Sequence, residues 1–365
     1  MLALPTLVLA ACATGTIDTG TIDTGTIDTG TIDDEADGTS AVADAGPGDL
    51  LEPGAAAAAL ALVPQDAAYL TITEWSAIKE RLGAGGLTGE SIQTDRIEFW
   101  RAVGASTVLL TDGSLRAENS RLGLRYGVTQ DDAIWELRWA RDGADDGPGG
   151  LALRLRDDLD LAGRERAVQD EVPGVEGARV LADQQLLLRG EGDPGATLAV
   201  DPAVSVAVDV DAETQVVVPG CRPWPAALGV DATVEEQEAL VGGAQVQDLL
   251  DPEAWRMSFA GRSAEVGVVY PEGTTEQAAQ ADARVRLALA EEWPTTESVG
   301  WGDALGLPPG LTGPGVEVTP VGDRLVARAD YRVVTPPAAG TIALAGLVPW
   351  AVCSEIDWLA EPTGR

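Results

Sequence analysis

The fold class can be read from residues 255–270, Trp255-Arg-Met-Ser-Phe-Ala-Gly-Arg-Ser-Ala-Glu-Val-Gly-Val-Val-Tyr270. Apolar residues alternate with polar or small ones on both sides of Gly261-Arg262, which is typical of two half-buried strands joined by a tight turn. The pattern predicts strands over residues 255–259 and 264–270. A helix is predicted next, over residues 275–292. A second hairpin follows it, with strands at 316–321 and 324–331 and a turn at Gly322-Asp323.

The same succession occurs earlier in the chain. Its predicted elements are strands 135–140 and 151–156 around a loop at 142–150, a helix at 160–170, and a hairpin at 179–188 that turns near Asp183. A further helix precedes each copy, at residues 95–103 and 233–241. We therefore predict an α+β fold, built as duplicated strand-strand-helix-hairpin units with antiparallel sheets, in residues 55–199 and 200–365. Coincidence is the alternative, because such a succession is common in α+β proteins.

The segment that enters the first unit predicts a strand and a helix. Residues 68–72 alternate as a strand, and Thr71-x-x-Glu74 matches a capping box that would begin a helix running through Leu82. The glycine-rich residues 83–89 are predicted to be a loop. Residues 107–111 are a further strand candidate.

The N-terminus predicts export and a lipid anchor. Residues 3–12 form an apolar run ending in Leu9-Ala-Ala-Cys12. Its length fits the about 7–15 apolar residues of a signal peptide and falls short of the about 20 that span a membrane. The last four residues look like a lipobox, so we expect cleavage of residues 1–11 and lipidation of Cys12. A secretory signal with an accidental cysteine is the alternative. The basic residue expected before the run is absent, as a start codon further upstream would explain.

Residues 12–54 are predicted to be a disordered linker. Gly-Thr-Ile-Asp-Thr repeats through residues 15–33, and residues 13–54 hold ten acidic residues and no basic one. Such a segment has little apolar surface to bury, and its like charges extend it. Asp33-x-Glu-x-Asp37-Gly38, with Asp44 beyond it, approximates a calcium loop, but a solvated linker is the interpretation we favour.

Charge and cysteine content restrict the partners and the compartment. The net charge is −35, from 24 basic and 59 acidic residues, and such a surface repels nucleic acid and anionic lipid. No nucleic-acid partner is therefore expected. With Cys12 lipidated, Cys221 and Cys353 are an even pair in an oxidising compartment, which predicts a disulfide. Two separate buried thiols are the alternative.

Most catalytic motifs are excluded by composition. The chain has no histidine, so Ser-His-Asp, Cys-His and histidine-zinc sites are excluded, and it has no P-loop. Ser76-Ala-Ile-Lys79 matches the S-x-x-K of penicillin-binding enzymes, but the partner motif needs a second lysine and Lys79 is the only one. We interpret it as an exposed helix surface. No catalytic residue, metal or cofactor is predicted.

Acidic and tryptophan residues leave two questions open. Two carboxylates held a few ångströms apart can hydrolyse glycosides, and the sequence does not select such a pair. We interpret Asp157, Asp158 and Asp160 as caps of a helix. We interpret Asp209, Asp211 and Glu213 as one solvated face of a strand. The ten tryptophans are interpreted mainly as core, with Trp224 as a half-exposed anchor.

Three segments carry a resemblance to a known group. Residues 68–83, Tyr126-Gly-Val-Thr-Gln-Asp-Asp132 with Trp135, and Leu155-Arg-Asp-Asp-Leu-Asp160 resemble uncharacterised membrane-anchored lipoproteins of actinobacteria. The two late cysteines are also similar to that group, whereas the pentapeptide repeat lies outside the resemblance. That group has no assigned activity, so the resemblance implies compartment and fold alone.

These observations predict a lipid-anchored envelope protein on the extracytoplasmic side of the cell membrane. Its contact with the membrane would be the lipid on Cys12, and its folded part would bind an unknown envelope ligand or protein without catalysis. The alternative is a histidine-free hydrolase that uses carboxylates, similar to a glycosidase. A purely structural envelope component is a third possibility.

Overall fold

Alternating segments of the sequence form strands of one antiparallel sheet in the computed structural model. It describes residues 55–141, 149–190, 196–294, 299–307 and 315–359, with only the backbone for residues 57 and 58. The strands are β1 Ala67–Glu74, β2 Ala133–Arg141, β3 Gly150–Leu155, β4 Arg179–Leu181, β5 Leu186–Arg189, β6 Thr214–Pro219, β7 Ala254–Ala260, β8 Ser263–Val269, β9 Leu305–Gly306, β10 Val316–Val321 and β11 Arg324–Val333.

Helices occupy most connections between the strands. They are α1 Ala55–Leu62, α2 Trp75–Arg81, α3 Gln93–Ser106, α4 Asn119–Tyr126, α5 Leu161–Gln169, α6 Pro202–Ala207, α7 Trp224–Leu228, α8 Val234–Gly243, α9 Glu276–Glu291, α10 Trp301–Ala304 and α11 Pro336–Ala345. The predicted α+β class is confirmed.

The order of strands repeats within the sheet. It runs β10-β11-β8-β7-β6-β1-β2-β3-β5-β4, with β9 paired to the end of β11. Read outward from its centre, each half therefore has the same order, with β1-β2-β3-β5-β4 on one side and β6-β7-β8-β11-β10 on the other. Helix α5 precedes the hairpin of the first half, and α9 precedes that of the second. The predicted strand-strand-helix-hairpin succession is present in both halves.

The two halves meet where β1 pairs antiparallel with β6. Leu70 lies opposite Val217 and Thr73 lies opposite Thr214. β6, which begins directly after Glu213, was not predicted from the sequence. One sheet thus joins the halves, so the folded residues belong to one compact unit.

Each face of the sheet carries its own helices. Leu70 and Ile72 of β1 pack with α1 and α6 on one face. On the opposite face, the first half packs against α2 to α5 and the second against α7 to α11. Val216 belongs to this second face, which shows that one sheet separates two helical layers.

Local capping signals define two of the longer helices. Asp160 accepts a hydrogen bond from the backbone of Ala162 at the start of α5, and Thr275 accepts one from Ala278 at the start of α9. Both helices begin within one residue of the predicted position, because a capping side chain acts over one turn of chain.

Two predicted elements are wrong. Thr71 and Glu74 do not form a capping box, because β1 extends through Glu74 and α2 begins only at Trp75. Residues 107–111 are not a strand. They run across the centre of the sheet, where the carbonyl of Val108 accepts a hydrogen bond from the Thr214 hydroxyl at 2.8 Å.

Candidate functional site

A cleft lined by aromatic rings lies at the C-terminal end of α9. We call it the aromatic cleft, and it has a volume of about 280 Å³. Its lining comes from α9, the residues after it, α10, β9 and β11: Leu287, Ala290, Glu291, Trp293, Trp301, Gly302, Leu305, Gly306, Leu307 and Tyr331. The described lining therefore combines three aromatic rings, aliphatic side chains and one carboxylate.

The aromatic walls of the cleft are held in place by packing. Trp301 meets Tyr331 edge to face, with centroids 5.5 Å apart and planes at 86°. Trp293 packs against Trp224, with centroids 6.3 Å apart. The indole N–H of Trp350 donates to the Tyr331 hydroxyl at 3.0 Å. These contacts fix the rings, so the cleft is formed before any ligand arrives.

A buried ion pair supports this wall from behind. Arg286 and Asp282 of α9 are fully buried and their side chains lie 2.7 Å apart. Arg286 also donates to the carbonyls of Trp350 and Val352, at 2.7 and 2.9 Å. Trp350 is thereby tied to α9, and through its indole to Tyr331.

One carboxylate of the described lining lies at the rim of the cleft. Glu291 is exposed at its rim. Burial raises the pKa of Tyr331 well above its usual range, and the charge of Glu291 adds to the rise. The tyrosine hydroxyl is therefore neutral at physiological pH. The described lining joins apolar and aromatic side chains with one carboxylate, an arrangement suited to holding a small ligand.

A second, larger depression lies between the loop after α2 and helix α3. Its volume is about 470 Å³, and Leu82, Gly83, Leu87 and Phe99 are among its lining. The residues predicted as a glycine-rich loop, 83–89, form the loop here. Asp95 and Glu98 on its rim are exposed, and the depression lacks the aromatic walls of the cleft.

The segment after Tyr126 forms a buried polar cluster. Asp131 accepts hydrogen bonds from Arg96 and from the indole of Trp100, at 2.6 and 2.7 Å. Asp132 accepts from the backbone of Thr129 and from Arg156, both at 2.9 Å. These carboxylates are committed to holding the loop, which gives them a structural part.

Lys79 belongs to this cluster, and the prediction that it is exposed is wrong. It is buried, and its ammonium donates to the carbonyls of Asp131 and Ala133, at 2.6 and 3.0 Å. Burial lowers the pKa of Lys79 to about 8, against the opposing effect of Asp132 and Asp131. Its described hydrogen bonds go to these carbonyls and not to Ser76, so the S-x-x-K match forms no nucleophile and base pair here.

Glu136 is a second buried acid with many partners. Its carboxylate accepts from the hydroxyl of Ser114 at 2.7 Å, from Arg138 at 2.7 Å and from the side chain of Gln130 at 3.2 Å. Trp75 and Thr111 also donate to it. Because these donors surround both oxygens, Glu136 serves the packing of this region.

Glu74 is the buried acid with a raised pKa. Burial raises its pKa from 4.5 to about 7, and the backbone N–H of Ala55, which donates to it, opposes the rise. No second carboxylate contributes to this shift. A pKa near 7 is that of a general acid, and glycoside hydrolysis would also need a second carboxylate about 5–9.5 Å away.

The acidic runs are dispersed among structural contacts. Asp160 caps α5 as predicted, whereas Asp157 pairs with Arg154 and Asp158 with Arg156.

The second run is not one strand face, so that prediction is wrong. Asp209 and Asp211 lie between α6 and β6, and buried Glu213 pairs with Arg81 and accepts from the backbone of Gly261.

The predicted disulfide between Cys221 and Cys353 is present. Trp224 beside it is not half-exposed, which corrects the prediction: it is fully buried, and its indole donates to the carbonyl of Cys353 at 3.0 Å. Among the described tryptophans, Trp358 is exposed, and most of the others are buried as predicted.

Cys12 lies outside the described residues, as do the linker 12–54 and the calcium-loop match that begins at Asp33. The aromatic cleft was missed by sequence analysis. Its one signal was the abundance of tryptophan, and that signal does not say which rings meet.

Comparison with models of protein families, with curated proteins and with solved structures finds no match to this chain.

Proposed function

We propose that this protein is an exported lipoprotein of the cell envelope that binds a small ligand without catalysing its reaction. Lipid on Cys12 would hold it on the extracytoplasmic side of the cell membrane. The observation that carries the binding function is the aromatic cleft, because it offers apolar walls held by packing and a carboxylate at its rim.

The disulfide supports the compartment. Disulfides persist in oxidising compartments and are rare in reducing ones. The Cys221–Cys353 bond therefore agrees with what Leu9-Ala-Ala-Cys12 predicts about export. In the described part of the chain, no helix is long and apolar enough to cross a membrane. A lipid on Cys12 would supply the contact with the bilayer.

The charge balance supports a partner other than nucleic acid. With a net charge of −35, long-range repulsion opposes approach to phosphate backbones and to anionic headgroups. Positively charged or neutral ligands are favoured instead.

The anchor is tested by intact mass of the protein taken from its native membrane. We expect a chain that begins at Cys12, carries acyl chains and gains two hydrogens on reduction. Cys12→Ala should release the protein from the membrane fraction, while Cys221→Ala should leave acylation intact. A chain that still begins at Met1, carries no lipid and resides in the cytoplasm would refute the proposal.

The absence of catalysis is tested by incubating the purified chain with envelope polysaccharides. We expect no release of reducing sugar. Turnover that disappears in Glu74→Gln and persists in the exposed control Glu238→Gln would instead favour the carboxylate hydrolase.

A further inference from the structure

We propose that the aromatic cleft binds a small organic cation of the quaternary ammonium class. This inference rests on the proposed binding function and names the chemistry of its ligand. Three features of the described residues support it: the ring arrangement, the charge at the rim and the end of helix α9.

The rings provide the first feature. A cation is attracted to the face of an aromatic ring when it lies within about 6 Å of the centroid, and tryptophan is the strongest partner. Trp301 and Tyr331 stand nearly perpendicular, at 86°, with centroids 5.5 Å apart, and Trp293 also lines the cleft. Because Trp293, Trp301 and Tyr331 are otherwise buried, a quaternary ammonium would contact the parts of these rings that remain at the cleft surface.

The carboxylate of Glu291 provides the second feature. It lines the cleft and is exposed at its rim, and its charge acts on the Tyr331 hydroxyl inside. The same negative charge that disfavours the tyrosinate anion would attract a ligand cation. The overall charge of −35 adds long-range attraction for cations and repulsion for anions.

The C-terminus of α9 provides the third feature. This helix spans 16 residues, and Ala290 and Glu291 of its last turn line the cleft. A helix C-terminus carries about half a negative charge, from carbonyls without helical partners. Cations near it are stabilised, so the backbone favours the same ligand as the carboxylate does.

Size restricts the ligand further. Pockets for drug-sized molecules span about 300–1,000 Å³, and this cleft has about 280 Å³. It therefore suits a compact ligand such as choline, either free or as the headgroup of a lipid. A neutral sugar could also stack on tryptophan, but it would gain little from the carboxylate and the helix end.

The test is isothermal titration calorimetry of the full chain in a maltoside detergent, at constant ionic strength. The probes are choline chloride and 3,3-dimethylbutan-1-ol, an uncharged molecule of the same shape. We expect choline to bind about tenfold more tightly, since the positive charge is what the cleft recognises. Methyl glucoside is the neutral sugar tested beside them. The proposal would be overturned by equal affinities for choline and the alcohol, by no binding of choline, or by binding of methyl glucoside in place of choline.

Matched variants locate the site. Glu291→Gln should weaken choline binding about three- to tenfold, and the adjacent exposed Glu292→Gln, which removes the same charge outside the cleft lining, should leave it unchanged. Trp301→Leu should abolish binding while the exposed Trp358→Leu preserves it. Circular dichroism checks that Trp301→Leu folds. Equal effects of Glu291→Gln and Glu292→Gln would overturn the site.

Vesicles distinguish the two sources of the cation. Cys12→Ala, which lacks the lipidation site, is floated with phosphatidylcholine vesicles. Flotation that choline displaces would identify a headgroup ligand, and binding of choline without flotation would identify a free one; both support the proposal. If the native chain is acylated on Cys12 but does not bind choline, the cation site is refuted and the lipid anchor is not.

If the native chain binds choline but carries no acyl chain, the lipid anchor is refuted and the cation site is not.

Discussion

Glu74 shows how strongly the environment of one side chain can depart from its local pattern. Its spacing from Thr71 suggests a helix cap, whereas the carboxyl is buried beside the first backbone N–H of α1. Lys79, on the helix that follows, is likewise buried. Both side chains change protonation behaviour because burial disfavours the charged form.

Glu74 should make the stability of the fold depend on pH. Its pKa is about 7 in the folded state, against an ordinary value of 4.5. Between pH 4.5 and 7 the folded state therefore binds more protons than the unfolded state does. Stability from this group is therefore fully present below about pH 4.5 and is lost as pH rises through about 7. The 2.5-unit shift corresponds to about 3 kcal/mol, as an upper limit.

Urea unfolding at several pH values measures this effect. The difference between the native chain and Glu74→Gln should change by up to about 3 kcal/mol between pH 4.5 and 8. The exposed control Glu238→Gln should give a difference without that step. A pH-independent difference for Glu74→Gln would contradict the assignment.

Among the elements, those defined by local chemistry agree best with prediction. α5 and α9 follow their capping residues, and the strands of both hairpins follow their alternation. α3 runs on to Ser106, beyond residue 103, where the helix was predicted to end. β6 was missed although it holds the β-branched run Val216-Val217-Val218, because the run does not alternate: Val216 packs on one face of the sheet and Val217 on the other.

Two helical glycines should respond in opposite directions to alanine. A Cβ at Gly163 of α5 would lie 2.0 Å from the carbonyl oxygen of Tyr126, whereas a Cβ at Gly104 of α3 meets no atom within 4 Å. Gly163→Ala should therefore destabilise the fold by about 1–3 kcal/mol. Gly104→Ala should stabilise it by about 0.5–1 kcal/mol, because alanine loses less chain entropy in a helix.

Thermal or urea unfolding of the two variants tests this pair. Each variant serves as the control for the other, since both add one methyl group to a helix. Stabilisation by both would mean that α4 and α5 are not in close contact.

For the molecule as a whole, one sheet and one covalent bond connect distant parts of the chain. β1 and β6 join the two halves in a single sheet. The disulfide then ties the segment after β6 to the C-terminal region, across 132 residues of sequence. The backbone of Arg222 pairs with Ala351 and Cys353 at the same place. The end of the chain is therefore held against the second half.

Loss of the disulfide should weaken the whole fold. Cys221→Ala with Cys353→Ala should lower the free energy of unfolding by about 2–5 kcal/mol, because the unfolded chain regains the freedom that the closed loop removes. Urea unfolding measures it, and reduction of the native chain should give a similar loss. A double variant as stable as the native chain would show that the bond contributes nothing.

The amino-acid sequence was enough to predict the alternating strands, the capped helices α5 and α9, the repeated order of elements and the disulfide between the two late cysteines. These follow from interactions within a few residues, or from counting. Three features became visible only in the folded chain: β6 completes the sheet, Lys79 and Trp224 are buried, and the rings of Trp293, Trp301 and Tyr331 meet at the end of α9. The reason is physical: burial and encounter depend on contacts between residues far apart in the chain, and no local pattern encodes which distant surface will cover a side chain.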